Sequence, residues 1–510
     1  MTKAGQKFSF VFQWFIDSPF FFGLILVLLF LGAYWMGSHT LDPDFGWHLR
    51  TGQLIAQKGI PYQDPYTFTM PNYPWGNHEW LSDFIIFKLY SLVGYQGTAA
   101  FFALLAAFAF LLLIPLKNLK YGLLPIILTY SLVLPFLGIR PCVFTFFFFA
   151  LFLKLVSLFL EQGKTWSLWL IPPMIALWAN LHGGFLLALF YLLFILIWHL
   201  LSRFSKVRNW FWKYHFQLEN QNLRLKPLVL VSIISPVLPL LNPYYLQVYR
   251  EMWLTISDQR LSRTIVEWWP LFYTSPRPIF LIYFGCLFGF ILAFFQKLPA
   301  YQIFFTLILF LLTFLHQRFL PLFLIFSLPL FAQAITNLVK KLPPSFVASF
   351  PPFYWPGISL AFVLIFLGFL FSHYPLSQDP ESSYPKKAVA FLKTLPLSEN
   401  LFNEYNWGGY LIWKVPERKV FVDGRMPSWR YQGKDAFGDY LKIRDAQPGF
   451  EKLLDRYQIK LALLAQPEET KEKRGKNQKN RQKDLVQLLL EKGWQKIYED
   501  EQAVVIRRNF

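Results

Sequence analysis

The chain has 510 residues, of which 55% are hydrophobic, 20% aromatic and only 15% charged. Soluble proteins average about 25% charged residues, and a water-soluble globule could not cover this much apolar surface. Disorder is excluded by the aromatic content, and a disulfide scaffold by the presence of only two Cys. A polytopic α-helical membrane protein remains. The formal net charge of +19 does not imply nucleic acid, because the basic residues gather in loops between apolar blocks.

A helix needs roughly 20 apolar residues to span a bilayer. Such blocks fall at approximately 17–37, 97–116, 121–139, 141–160, 166–180, 183–201, 227–247, 276–296, 299–315, 318–338 and 355–374, which predicts about eleven spans. The prolines at Ile171 to Pro173 predict a broken helix there. Glu79 to Val93 is apolar on one side and carries Glu79, Asp83 and Lys88, as an interfacial helix would. An N-terminus on the cytoplasmic side puts fourteen Lys and Arg in the inner loops and eight in the outer ones. That is the expected bias of a multi-pass plasma-membrane protein. The first span reads as a retained signal anchor, and Cys142 and Cys286 lie inside spans.

Residues 1–376 thus form a transmembrane domain, with a first extracytoplasmic loop at 38–95 that holds interfacial helices. From 377 to 510 the composition is that of an ordinary globular domain, placed outside by the odd number of spans. Helices are predicted at Pro385 to Leu392, Phe450 to Tyr457 and Leu485 to Lys492, the last ended by Gly493. Strands are predicted at Glu399 to Phe402, Lys419 to Val422 and Ile459 to Leu464, with a closing hairpin from Trp494 to Ile506. Alternating strands and helices argue a compact α/β domain. The polar run within 467–483 predicts a disordered loop.

The chemistry-bearing residues cluster in the outer segments. In the first loop, Asp42 and Asp44 precede a helical stretch from Phe45 to Lys58, which stops at Gly59. His48 and Arg50 follow on its first turns, and Asp64, His78, Glu79 and Asp83 come later. Asp44 is either a helix N-cap or a carboxylate poised to take a proton from a hydroxyl. The two roles are compatible, since a cap bond would hold the carboxylate in place and ionised. WANLHGGF places Asn180 and His182 beside two turn-permitting glycines. Arg318 and Arg140 lie at outer helix ends, where an Arg either snorkels to headgroups or pairs with a phosphate. Glu267 is a weaker candidate. In the tail, NWGGYLIW suggests a strand-to-helix turn, and Asp423-Gly424 in VFVDGR a turn at a strand end.

These motifs, with DPDFGWHLRTG, IPYQDPYTFT and PWGNHEWL, resemble a bacterial and archaeal subgroup of the GT-C superfamily. That superfamily comprises integral-membrane glycosyltransferases which use polyprenyl-phosphate-linked sugars. The resemblance implies a GT-C-like fold and an inverting displacement at the outer membrane face. Asp44 would be the general base, and Asp42 its partner through a water or a divalent metal (Mg or Mn). Arg318, His182, Arg140 and Arg50 would stabilise the departing lipid phosphate. His48, Asn180, His78 and Glu79 would complete the substrate contacts. The partners would be the lipid-linked donor, a glycan, lipid or protein acceptor, and membrane lipids. Phe45 stands where the superfamily often has a second acidic residue, which bears on the metal. No W-W-D-Y-G motif is present, so the sequence does not read as an oligosaccharyltransferase. Two other classes compete: a lipid-linked-sugar flippase, and a non-catalytic glycan- or lipid-binding protein of the same fold. The central parts of the spans carry almost no charge, which disfavours a transport pathway.

Overall fold

The structure, a computed structural model, describes residues 19–113, 119–214, 225–273, 278–341, 379–466 and 485–509, with the single positions 343 and 368. It is mostly helical and divides into two compact units. One comprises residues 1–39, 95–248 and 259–377; the other comprises 40–94, 249–258 and 378–510. The first loop therefore belongs to the same unit as the tail.

The first unit holds the apolar helices. Among the described residues six helices are long and apolar enough to cross a membrane: Phe22–His39, Trp80–Leu112, Cys142–Gln162, Phe185–Ser202, Phe280–Lys297 and Gln317–Lys341. Four more of the predicted blocks form shorter apolar helices, Gly122–Phe136, Trp166–Leu181, Leu225–Leu241 and Ala300–Leu315. The predicted span at 355–374 lies outside the described residues, as does the loop at 467–483. The break foreseen near Pro172 is present: Trp166–Trp169 and Ile171–Leu181 are separate helices that meet at Leu170. Trp80–Leu112 continues from the predicted interfacial stretch into the second span, and Gly94 (φ 66°) interrupts its helical backbone. This unit is packed with aromatic rings. Tyr191 meets Phe305 at 4.5 Å and Phe326 at 5.4 Å between centroids, and Phe305 meets Phe326 at 4.9 Å. Edge-to-face contacts of this kind favour a specific fit over a fluid one. The buried Tyr283 hydroxyl is paired, bonding Ser327 at 2.9 Å and Thr129 at 3.3 Å.

The second unit contains a four-stranded sheet. Its strands are β1 (Asn400–Asn403), β2 (Ile459–Ala465), β3 (Gln495–Glu499) and β4 (Ala503–Arg507), in the order β1-β2-β4-β3. β1 runs parallel to β2, while β4 is antiparallel to both β2 and β3. The helices predicted in the tail form at Lys386–Leu392, Phe450–Arg456 and 485–491. One helix, Ala436–Arg444, escaped the sequence reading; the side chain of Asp435 caps it by accepting from Gly438 N at 2.9 Å.

The predicted strand at Lys419 to Val422 does not join the sheet. It runs beside the first loop instead, in a parallel bridge between Thr67 and Val420. Val420 N donates to Tyr66 O at 3.0 Å, and the Thr69 hydroxyl donates to Phe421 O at 2.7 Å. On its other side the Asn403 side chain stands in for a strand. Its Oδ1 accepts from Phe421 N at 2.8 Å, and its Nδ2 donates to Val422 O at 2.9 Å. The segment's backbone groups are thus satisfied without a ladder.

The Phe45–Lys58 and Gly408–Lys414 helices touch backbone to backbone. A Cβ on Gly46 would strike the Gly409 carbonyl, and a Cβ on Gly409 would strike the Pro43 carbonyl. Carbonyls cannot swing aside as side chains do. Gly409→Ala is therefore expected to cost about 1–3 kcal/mol, the usual range for overpacking. A thermal melt of the detergent-solubilised protein checks this; an unchanged midpoint would contradict the close approach.

Candidate functional site

The motif residues of the second unit converge on one buried guanidinium. Arg425, whose side chain is 3% exposed, makes a bidentate pair with Asp423, Nε to Oδ1 at 2.8 Å and Nη2 to Oδ2 at 2.6 Å. The same Nη2 reaches Asp64 Oδ1 at 2.9 Å. Asp64 is itself preset by a local turn, since it accepts from Tyr66 N at 3.2 Å and Thr67 N at 3.0 Å. Four rings surround the guanidinium: Trp75 at 4.4 Å, Tyr66 at 5.0 Å, Trp429 at 5.1 Å and Trp47 at 5.7 Å. Burial works against the Arg425 charge, but Asp423 and Asp64 more than offset it and hold the group ionised.

Asp44 adjoins this centre. A Cβ at Gly424 would collide with its carboxylate, so VFVDGR requires glycine next to Arg425 for a physical reason. Asp44 does occupy the N-cap position of Phe45–Lys58, but its side chain makes no cap bond. The expectation that a cap bond keeps it ionised is therefore corrected. Burial, and then the neighbouring Asp42 charge, push Asp44 up to about 7, while His48 and Trp47 pull the other way. Asp42 Oδ1 accepts from Asp44 N at 2.8 Å, which fixes the two acids side by side. An acid of this kind changes charge near neutral pH, where a general base works best.

His48 is buried at 3% exposure, with its Nδ1 bonded to Asp83 Oδ1 at 2.6 Å. Asn77 Nδ2 donates to the other Asp83 oxygen at 2.7 Å. Burial alone would lower the pKa of His48, yet Asp83 outweighs it and raises it. This places an imidazole whose protonated form Asp83 favours one helical turn from Asp44. Gly52 makes the contact possible, because a Cβ there would strike the Asp83 carbonyl. Arg50 donates to Gln53 of its own helix, and His78 lies 3.3 Å from Glu79.

The remaining predicted residues belong to the first unit. His182 Nδ1 bonds the Thr145 hydroxyl at 2.7 Å, and that oxygen accepts from Trp178 Nε1 at 2.9 Å. Gly184 is needed here too, since its Cβ would meet Thr145. Asn180 Nδ2 turns back to the Ala176 carbonyl at 2.7 Å. Arg318 lies over the Trp268 ring at 4.3 Å, and Arg140 reaches Glu267 at 3.8 Å. The Glu267–Trp268 pair therefore collects both arginines from separate helix ends.

For a metal, Asp42 and Asp44 supply two carboxylates whose mutual repulsion a dication would relieve. Mg²⁺ is commonly held by one or two carboxylates, with water or phosphate supplying the rest. Among the described residues no group of three or more His, Cys, Asp or Glu could hold an ion.

The sequence reading took VFVDGR as a turn and a motif and named Asp64, but gave no role to Asp64, Arg425 or the tryptophans. The available signal was an Arg beside Asp-Gly in an otherwise apolar segment.

Solved structures share this arrangement of elements. The apo crystal structure of the Archaeoglobus fulgidus oligosaccharyltransferase matches 88% of this chain and 70% of its own, with a TM-score of 0.52 and 12% identity. The same enzyme tethered to an acceptor peptide containing the NVT sequon matches 89% and 70%, with a TM-score of 0.53 and 12% identity. Archaeal oligosaccharyltransferase AglB from that organism, in complex with an inhibitory peptide and a dolichol-phosphate, gives 88%, 70%, 0.51 and 12%. The chain has the oligosaccharyltransferase fold. No family model matches the sequence, and no curated protein does.

Two expected outcomes follow from the geometry. Removing the Arg425 charge strands two buried carboxylates, so Arg425→Met is expected to lower stability by about 3–5 kcal/mol. A denaturation series in detergent, read by tryptophan fluorescence, would contradict this if the loss were under about 1 kcal/mol. Asp44 holds its proton to higher pH in the folded chain than in the unfolded one. Its ionisation therefore costs stability as pH rises from about 4 through about 7. Asp44→Asn is expected to raise the melting temperature at about pH 8 and to have little effect near pH 4. An equal shift at both pH values would negate the raised pKa.

Proposed function

We propose that this protein is a membrane glycosyltransferase which moves a sugar from a polyprenyl-phosphate carrier to an acceptor hydroxyl at the outer membrane face. The observation that carries the reading is Asp44, a carboxylate titrating near neutrality at the head of the first-loop helix, in a chain with the oligosaccharyltransferase fold. The structural relatives supply the lipid-linked donor class, since one of them binds a dolichol-phosphate. The absence of W-W-D-Y-G favours a hydroxyl over an amide acceptor.

In this mechanism Asp44 accepts the proton of the acceptor hydroxyl, whose oxygen attacks the anomeric carbon and inverts it. The bond from that carbon to the phosphate oxygen breaks, and the lipid phosphate departs with the electron pair. Asp42 keeps Asp44 basic, and His48 limits how far that pKa climbs. A divalent ion held by Asp42 and Asp44 would supply Lewis-acid stabilisation of phosphate charge when bound. Arg318 and Arg140, which gather at Trp268 and Glu267 in the first unit, are the candidate phosphate-pairing residues. The N-terminus is cytoplasmic and the tail extracytoplasmic, in keeping with the charge bias of the loops.

The test is transfer of radiolabelled hexose from polyprenyl-phosphate hexose by the purified protein in detergent, across a panel of glycan, lipid and peptide acceptors. Turnover is expected to rise with pH through about 7 and to fall about 10²–10⁴-fold in Asp44→Asn, the usual contribution of a general base. Arg318→Gln is expected mainly to raise KM for the donor. Transbilayer movement of the donor without a new glycosidic bond would instead establish a flippase. Full donor binding without turnover, unaffected by Asp44→Asn, would establish a non-catalytic binder.

A further inference from the structure

The second unit contains a polar cavity of about 280 Å³ that the proposed reaction does not use. We infer that it is a binding site for an anionic sugar unit, formed by Lys434, Arg456, Tyr457, Gln458, Asn400 and Phe68. Drug-sized ligand sites run from about 300 to 1,000 Å³, so this one suits a single ring.

The walls are set by local geometry. Lys434 closes a two-residue hairpin in which Tyr431 and Lys434 exchange backbone bonds of 2.9 and 3.2 Å. Gln432 and Gly433 at its tip both have positive φ, 49° and 74°, as this tight turn demands. Arg456 ends the Phe450–Arg456 helix, and Tyr457 and Gln458 follow it. Gln458 has φ 50°, a costly value for a non-glycine residue, of the kind that gathers at ligand clamps. The Tyr457 ring cannot swing freely, since its hydroxyl donates to Asp439 at 2.9 Å and the ring meets Phe421 edge to face at 5.0 Å. Asn400 Nδ2 donates to Tyr457 O at 2.9 Å.

The charge balance points to an anion. Three carboxylates lie close in sequence, and each is engaged. Asp435 caps its helix and contacts Arg430 at 3.5 Å, and Asp455 pairs with Arg508 at 2.6 Å. Asp439 is shared among Tyr457, Lys442 at 3.5 Å and Arg456 at 3.8 Å. Among the described residues Lys434 has no carboxylate partner, and the Gln458 amide and Asn400 Oδ1 accept or donate no bond. Two cations therefore face the cavity with one distant, divided counter-charge. Amides and aromatic rings complete the lining, a combination that suits hydroxyls and the apolar face of a sugar ring. A carboxylate on the ring would meet Lys434 and Arg456.

This inference concerns binding alone and stands whether or not the protein transfers sugar. The test is calorimetric titration of the full-length protein in detergent with glucuronate, glucose and inorganic phosphate, and of Lys434→Gln and Arg456→Gln with glucuronate. Saturable glucuronate binding is expected, at least about tenfold tighter than glucose or phosphate and about tenfold weaker in each variant. Glucose binding as tight as glucuronate would overturn the anionic requirement, and phosphate binding as tight would overturn the sugar. Absence of glucuronate binding overturns the site. Each variant's melting curve establishes that it is folded, and if one is not, the ligand ratios of the unaltered protein decide.

Discussion

A charged guanidinium inside a protein needs counter-charge and acceptors, and Arg425 finds them for Nε and Nη2 in Asp423 and Asp64, while its buried Nη1 has no hydrogen-bond partner among the described residues. One of these acids precedes it by two residues; the other comes from the first loop. The pair thus ties segments more than 350 positions apart. Trp47, Tyr66, Trp75 and Trp429 enclose the charge and exclude water, which strengthens each electrostatic contact.

Close backbone approach does the rest. Gly46, Gly409 and Gly424 each stand where a Cβ would strike another segment. Two of them bring helices together, and the third leaves room for the Asp44 carboxylate. That carboxylate is packed and lacks a cap bond, and His48 and Trp47 offset its burial only in part. Desolvation and Asp42 then move its titration to neutral pH. The chemistry proposed for this residue arises from packing that is unrelated to sugar recognition.

Much of the fold was legible from local pattern. Apolar blocks foretold the long apolar helices, since burial in lipid demands long unbroken runs. Ile459 to Leu464 and the hairpin after Trp494 announced themselves by composition, and Gly493 by its cap position. Ala436–Arg444 was missed because it mixes charged and apolar residues without a clean stripe. Lys419 to Val422 was correctly seen as extended but assigned to the sheet, because no local feature reveals which partner an extended segment takes. Asp44 was singled out from its neighbours Asp42 and Phe45, whereas the room for its carboxylate depends on Gly424, more than 350 positions away.

The amino-acid sequence by itself determined the membrane class, the positions of the apolar helices, the change to a globular composition near residue 377, and the motifs that carry charge and glycine. Those properties depend on composition and on spacing within a few turns. Only the tertiary structure decided that the first loop belongs to the same unit as the tail, that Arg425 lies between Asp423 and Asp64, and that Asp44 is held near its titration point. Burial and ion pairing depend on distances between residues far apart in the chain, and no local pattern encodes those distances.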